Sequence, residues 1–403
     1  MTIPKSKHTL QSALAISEWI VDLRRDLHAN PELAYGEVRT SRRIQEVLTE
    51  LGIAHKTGFA GGTGIVATLG SEQGPCVALR ADMDALPIQE QSGSDFSSLK
   101  PGVMHACGHD THMAMLLGAA RILKQDESSL PGQVKLVFQP AEEGGAGAKK
   151  MCDEGVLEDP KVQRMFGMHV WPQLPTGVVG LREGAFLASA TFFDILVHGT
   201  GGHAAMPNLV VDPVVAGAQI VNSLQSIVSR ERDPFGSDVV SISAFNAGDA
   251  YNVIPATAHL KGTVRSLSLE DQAANIQRIE EIAKAIGQAH RCRVEVNFPG
   301  TTYPPTVNDD KALAVARAAA RIVVGEAGLV VNSPTMGGED FSFYAQKVPS
   351  AFAALGVGNE AKGSTHSLHH PEFRVDEDAL PIGAAMHAAF AMEALAELNL
   401  AKP

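Results

Sequence analysis

Apolar residues recur with helical spacing over residues 12–29, where Leu14, Trp19, Ile20, Leu23 and Leu27 share one side until Asn30-Pro31 stops the run. The spacing predicts a second helix over 40–51, closed by Gly52. Apolar runs then predict strands at 63–69 and 76–80, a helix at 110–124 starting just past His109, and a strand at 133–138 ending before Gln139-Pro140. Strands alternating with helices are the pattern of an α/β domain with a mostly parallel sheet. Ligands of such sheets gather at the carboxyl ends of strands, and the loops carrying Asp84, Glu142 and His169 are expected there.

The pattern changes between about 189 and 298. Residues 191–198 read as a strand, and Asp212-Pro213 open a helix running to about 231, since Asp caps well and Pro suits the first turn. Strands at 238–245 and 257–266 follow. Ser268 with Asp271 resembles a capping box for a helix to about 290, and 292–298 gives a last strand. The order β-α-β-β-α-β is that of a ferredoxin-like unit. Residues 189–298 are therefore expected to form a second domain inserted into a discontinuous first one, 1–188 with 299–403. The chain returns with a helix at 309–323.

A chain of 403 residues suits two domains. Its 45% hydrophobic and 19% charged content is that of a globular protein. A net charge of −12 argues against a nucleic-acid or anionic-membrane partner. The apolar stretch near the N-terminus is interrupted by Glu18 and Asp22, so an amphipathic helix rather than a signal peptide is expected. No run approaches the ~18 apolar residues of a membrane span. Four cysteines, Cys76, Cys107, Cys152 and Cys292, suggest no disulfide framework and suit a cytoplasmic setting. Cys76 and Cys292 lie in apolar runs, whereas Cys107 has His and Gly neighbours.

The candidate chemistry lies in four short segments: Cys107-Gly108-His109, Glu142-Glu143, His169, and His369-His370-Pro371. Together they offer a thiolate, imidazoles and two adjacent carboxylates, enough for two metal ions with one carboxylate left over as a base. At a strand end adjacent side chains diverge, so one carboxylate of the pair can bind metal while the other faces substrate. Taken singly, each segment also reads as an ordinary turn, a solvated pair or a core histidine. Asp82 and Asp84 read either as loop anchors or as carboxylates that hold a ligating imidazole by its second nitrogen.

Arg80-Ala-Asp-Met-Asp-Ala-Leu-Pro87, Met104-His-Ala-Cys-Gly-His-Asp110, Gln139-Pro-Ala-Glu-Glu143, Gly199-Thr-Gly-Gly-His-Ala-Ala205 and Met336-Gly-Gly-Glu-Asp-Phe341 together resemble the aminoacylase/carboxypeptidase family of dinuclear metallohydrolases. The nearest subgroup contains hippurate hydrolase and indole-3-acetyl–amino acid hydrolases. The resemblance spans nearly the whole chain. It implies a zinc-peptidase-like catalytic domain, a ferredoxin-like lid domain, and cleavage of N-acyl amino acids, small-molecule substrates, to a carboxylic acid and a free amino acid. Carried over by motif, it implies metal ligands at Cys107, His109, Glu143, His169 and His369, with Cys107 bridging two divalent ions. Zinc is expected first, with Mn, Co or Ni also accepted by such ligands. It further implies Glu142 as general base, His203 as oxyanion partner, and Asn252, Arg265 and Gly338 as substrate contacts. Association of copies through the lid is left open. Asn208 departs from the pattern, since many relatives carry a histidine there. Rival readings are a dipeptidase or carboxypeptidase on the same scaffold, a thiol amidase using Cys107, and a metal-binding protein without catalysis.

Overall fold

The computed structural model describes residues 5–400. The first compact unit comprises Met1–Gly184, Val307–Ser333 and Asp340–Pro403, and the second Ala185–Thr306 with Pro334–Glu339. The return of 334–339 to the second unit was not expected from the sequence. It divides the Met336–Phe341 motif between the two.

In chain order the elements are α1 Ser17–Ala29, α2 Val38–Glu50, β1 Ala54–Phe59, β2 Gly64–Gly70, β3 Cys76–Asp82, α3 His109–Gln125, β4 Gln133–Gln139, α4 Gly147–Asp153, β5 Val162–Pro175 and β6 Val179–Leu181. Then come β7 Thr191–His198, α5 Pro213–Ser226, β8 Asp238–Asn246, β9 Thr257–Ser266, α6 Leu269–Ala289 and β10 Arg293–Asn297. The chain returns with α7 Asp310–Val324, β11 Leu329–Val331, β12 Ser350–Gly358 and α8 Leu380–Leu400. The helix expected over 12–29 is two, because Thr9–Leu14 closes before α1 begins.

The first unit is built on one sheet of order β1-β2-β4-β3-β5-β12-β6-β11. Its centre, β4-β3-β5-β12, is parallel, and antiparallel pairs β1/β2, β2/β4 and β12/β6 flank it. All seven residues of β3 are buried, as befits a strand covered on both faces. Among the helices α3 is almost wholly buried. It packs on α8, where a Cβ on Gly383 would sit 1.9 Å from Met115 Sδ.

The segment Glu377–Leu400 corrects the expectation of no membrane-length apolar run, being long and apolar enough by composition. Its apolar window is 78% buried, so it serves as a core helix of this unit.

α8 also carries His387, buried edge-on against Phe166 with neither ring nitrogen hydrogen-bonded among the described residues. Burial, with the His112 charge second, pushes it down to about 3 from the ordinary 6.5. It is therefore neutral when folded and charges on unfolding. The stability it contributes is present above pH 6.5 and is lost as pH falls towards 3. In the metal-free protein, His387→Leu should shrink the loss of unfolding free energy between pH 7 and pH 4 by about 3 kcal/mol. Urea unfolding at the two pH values checks this, and an unchanged loss would refute it.

The second unit is a four-stranded antiparallel sheet of order β8-β9-β7-β10 with α5 and α6 packed on it, a ferredoxin-like arrangement. Burial alternates along β7 and β9, as in a sheet with one face in the core. Phe193, Ile195, Ile220, Leu224, Leu260 and Ile279 form that core. Asp212 caps α5 by accepting the Val214 and Val215 amides. Ser268 caps α6 by accepting the Asp271 amide at 3.0 Å.

Candidate metal centre

The first unit collects its polar side chains at the carboxyl ends of its parallel strands. Asp82 ends β3, Asp84 follows two residues on, and Glu142 and Glu143 lie just past Gln139, the last residue of β4. His169 departs from expectation, lying inside the 14-residue strand β5 and not in a loop. Gly167 is in register with Arg80, so His169 stands level with Asp82. His109 is the first residue of α3, entered through Gly108 at φ 85. A Cβ on Gly108 would sit 2.5 Å from Val170 Cγ2, so only glycine lets this turn approach β5. His369 arrives from the far end of the chain because its N–H donates to the Ala106 carbonyl at 2.9 Å. Its backbone is left-handed, φ 65, a strained state that clusters at functional sites.

Five clusters of possible metal-ligating side chains form among the described residues; Cys107 belongs to two of them, and Glu142 to two others, with His109 and Glu143 and with Glu339 and Asp340. Of the two triads that hold Cys107, one adds His109 and His169, the other Glu143 and His369, each with donor atoms within 4.8 Å of one another. Cys107 Sγ is 3.3 Å from His169 Nε2 and 3.3 Å from His369 Nε2, and His369 Nε2 is 3.1 Å from Glu143 Oε1. His169 Nδ1 donates to its neighbour's carbonyl, Val170 O, at 2.7 Å, which leaves Nε2 as the lone-pair nitrogen facing the sulfur. Asp84 lies 3.4 Å from His109 Nδ1 and accepts the amides of Glu142 (2.9 Å) and Glu143 (3.0 Å). Asp82 and His112 form a further cluster with His109, but that one is closed on itself. His112 Nδ1 donates to Asp82 at 2.6 Å, while its Nε2 accepts the Val170 amide at 3.0 Å. Glu142 is buried, and the Asp340 amide donates to its Oε1 at 3.3 Å.

The electrostatics favour added positive charge. Burial, then Glu143, Glu142 and Asp82, push the Cys107 thiol well above its ordinary value. Burial opposes protonation of His109, yet Asp82 and Asp84 outweigh it and raise it to about 10. His169 is held far below 6.5 by burial and His112. Arg80, with His109 and His112, keeps the Asp82 carboxyl low despite its burial. Both ring nitrogens of His109 are buried without a hydrogen-bond partner among the described residues. A thiol, three imidazoles and a carboxylate arranged this way fit two divalent cations, which would satisfy His109 and let Cys107 ionise.

The remaining sequence candidates lie in the second unit. His203 pairs with Val253 in a two-residue ladder, and its Nδ1 accepts the Ala205 amide at 3.1 Å, so its proton sits on Nε2. The Asn252 carbonyl accepts the Ala204 amide at 3.0 Å, which brings Asn252 beside His203. Arg265 donates from Nε to Thr263 Oγ1 at 3.1 Å. A Cβ on Gly338 would lie 3.1 Å from an Arg265 guanidinium nitrogen. The four thus fall into two neighbouring pairs.

Residues 78–393 match peptidase family M20/M25/M40. The chain belongs to that family. Its membership makes it a hydrolase of amide bonds. Across 98% of its length it is 44% identical to IAA-amino acid hydrolase ILR1-like 4 of Arabidopsis thaliana, covering 90% of that protein. It is 41% identical to N-acetylcysteine deacetylase of Bacillus subtilis over 93% of this chain and 96% of that one. Among solved structures, the YXEP protein of Bacillus subtilis, a dinuclear metal binding peptidase from the M20 family, is 37% identical with a TM-score of 0.82. That match covers 95% of this chain and 99% of that one.

Three residues of the site were not singled out from the sequence. Arg80 donates to Gln139 Oε1, Asp82 and Asp340 and is itself buried. His112 ties Asp82 to the Val170 amide through its two ring nitrogens. Glu37 reaches the Glu142 loop from a distant segment.

Proposed function

We propose that this chain is a metal-dependent amidohydrolase that cleaves N-acyl amino acids to a carboxylic acid and a free amino acid. The observation that carries the reading is the place of Cys107 Sγ in both ligand triads, with Glu142 next to them on the same loop as Glu143. Cys107 would bridge two divalent ions, one held by His109 and His169, the other by Glu143 and His369. Zinc is the first expectation, with Mn, Co or Ni accepted by the same donors. The ions supply Lewis-acid charge and make water acidic enough to lose a proton near neutral pH.

Glu142 takes the proton of the attacking water at a carboxylate oxygen and passes it to the leaving amine nitrogen. Asp84 and Asp82 orient the imidazoles and the Glu142–Glu143 backbone. His203, with its proton on Nε2, donates to the developing oxyanion, and Arg265 pairs with the substrate carboxylate. Asn252 and Gly338 line that contact. In this reading 1–188 and 299–403, apart from 334–339, are the catalytic part, and 189–298 with 334–339 the lid. The enzyme works in the reducing cytoplasm, which suits its four free cysteines.

A thiol amidase needs a thiolate favoured by its surroundings, whereas burial and three carboxylates oppose one at Cys107. The test is a hydrolysis screen on benzoyl-, acetyl- and indoleacetyl-amino acids, with chelation and metal addition as its arms. Turnover should vanish on chelation and return with added zinc, manganese, cobalt or nickel. Turnover that survives chelation but not thiol alkylation would favour the thiol amidase. Faster release of C-terminal residues from unblocked peptides would favour a carboxypeptidase.

A further inference from the structure

A segment about a hundred residues away in sequence grips the Glu142–Glu143 loop at both ends. Glu37 is fully buried. One of its oxygens, Oε1, accepts the amides of Tyr35 (2.9 Å) and Ala141 (3.0 Å), and Oε2 accepts the Thr63 hydroxyl at 2.9 Å. Both residues whose amides Glu37 holds are non-glycine residues in the left-handed region, Tyr35 at φ 62 and Ala141 at φ 56. Such backbone persists only where its surroundings enforce it. At the other end of the loop the Tyr35 hydroxyl donates to the Gly145 carbonyl. With Asp84 on the next two amides, three successive N–H groups, those of 141, 142 and 143, each end on a buried carboxylate.

We propose that Tyr35 and Glu37 are positioning residues for the hydrolysis, a clasp that fixes the backbone of 141–145 so that Glu142 and Glu143 keep separate directions. The proposal rests on the roles given above to those two glutamates. A single-residue twist at Ala141 would turn both side chains at once, and the left-handed state of Ala141 is what sets Glu142 at the strand end. Burial, with the nearby Asp84 charge adding to it, raises the Glu37 carboxyl to about 7, so its hold on the loop rests on geometry, two amides and one hydroxyl shared between its two oxygens, and not on a full negative charge. Glutamine can reproduce the contacts, because its carbonyl oxygen can accept both amides while its NH₂ donates to Thr63 Oγ1. Alanine cannot.

The experiment compares Glu37→Gln, Glu37→Ala and Tyr35→Phe as zinc-loaded full-length proteins. It reads backbone deuterium uptake over 137–147 and 191–198, zinc content, and kcat and KM on an N-acyl amino acid. For Glu37→Ala we expect exchange at 141–145 to rise about tenfold with 191–198 unchanged. We expect kcat to fall on the order of 10²-fold at nearly constant KM, the scale of a small misplacement of catalytic groups. Glu37→Gln should restore both readouts to within about threefold of the parent, and Tyr35→Phe should loosen the 144–146 end. Wild-type exchange at 141–145 in Glu37→Ala would overturn the clasp. So would a uniform rise that includes 191–198, or a Glu37→Gln variant as impaired as Glu37→Ala. If the parent protein cleaves no N-acyl amino acid, the functional reading fails by itself, and the exchange arm still decides the clasp.

Discussion

Glu142→Gln is expected to lower kcat by roughly 10²–10⁴-fold while leaving metal content near normal. That loss corresponds to about 3–5 kcal/mol at ~1.36 kcal/mol per decade. Glu142 is buried and takes the Asp340 amide on Oε1. Glutamine keeps an acceptor for that amide and keeps the side-chain volume, so the loop has no reason to move. What it loses is the ability to take a proton. Glu143 differs in kind. It lies 3.1 Å from His369 and shares a triad with Cys107, and its carboxyl is held low by His369 and His109 despite burial. Glu143→Gln should therefore lose metal and recover in part when metal is added. Metal stoichiometry and kcat measured side by side separate the two failures. If Glu142→Gln loses metal and is rescued by it, while Glu143→Gln keeps its metal and stays inactive, the roles are reversed.

Cys107→Ser should empty both metal positions. The sulfur is the one atom common to the two triads, so its loss leaves His109 with His169 at one position and Glu143 with His369 at the other. Two protein ligands per ion fall short of the three that catalytic zinc sites ordinarily keep. A serine hydroxyl is no substitute for a thiolate. The loss of affinity should exceed the ~10–100-fold that removing an orienting partner typically costs. His169→Ala should deplete only one position, because His369 and Glu143 remain with the sulfur. Elemental analysis after dialysis distinguishes these outcomes. Full metal content in Cys107→Ser would refute the shared-thiolate assignment.

Much of the fold was legible because local pattern and tertiary burial agree. The bounds of β7 and β9 coincide with those expected, since alternation marks a sheet with one face in the core. Where pattern and burial part, the reading fails. β1 is a mostly exposed edge strand with little apolar signal, and β5 runs straight through His169 to Pro175 where a loop was expected. α8 carries apolar residues on every side, with Glu393 and Glu397 confined to its last turns, so no amphipathic period announces it. The association of 334–339 with the second unit depends on contacts that no local spacing encodes.

The site divides in the same way. Thiol, imidazole and paired carboxylates are rare chemical types that announce themselves in short motifs. Glu37 does not, and Arg80 stands in a short motif that does not reveal its role, because the importance of both lies in what they touch. Arg80 meets Asp340 across 260 positions, and Glu37 meets Ala141 across 104. An isolated Glu or Arg in a sequence reads as surface until the fold supplies its partners.

One sulfur, that of Cys107, is expected to serve two metal ions. Anomalous diffraction from crystals of the zinc-loaded protein tests this most directly. Two peaks are expected, each within about 2.3 Å of Cys107 Sγ. One peak would lie against His109 and His169, the other against Glu143 and His369. A single peak, or a second peak that does not touch Cys107, would contradict the shared role of the sulfur.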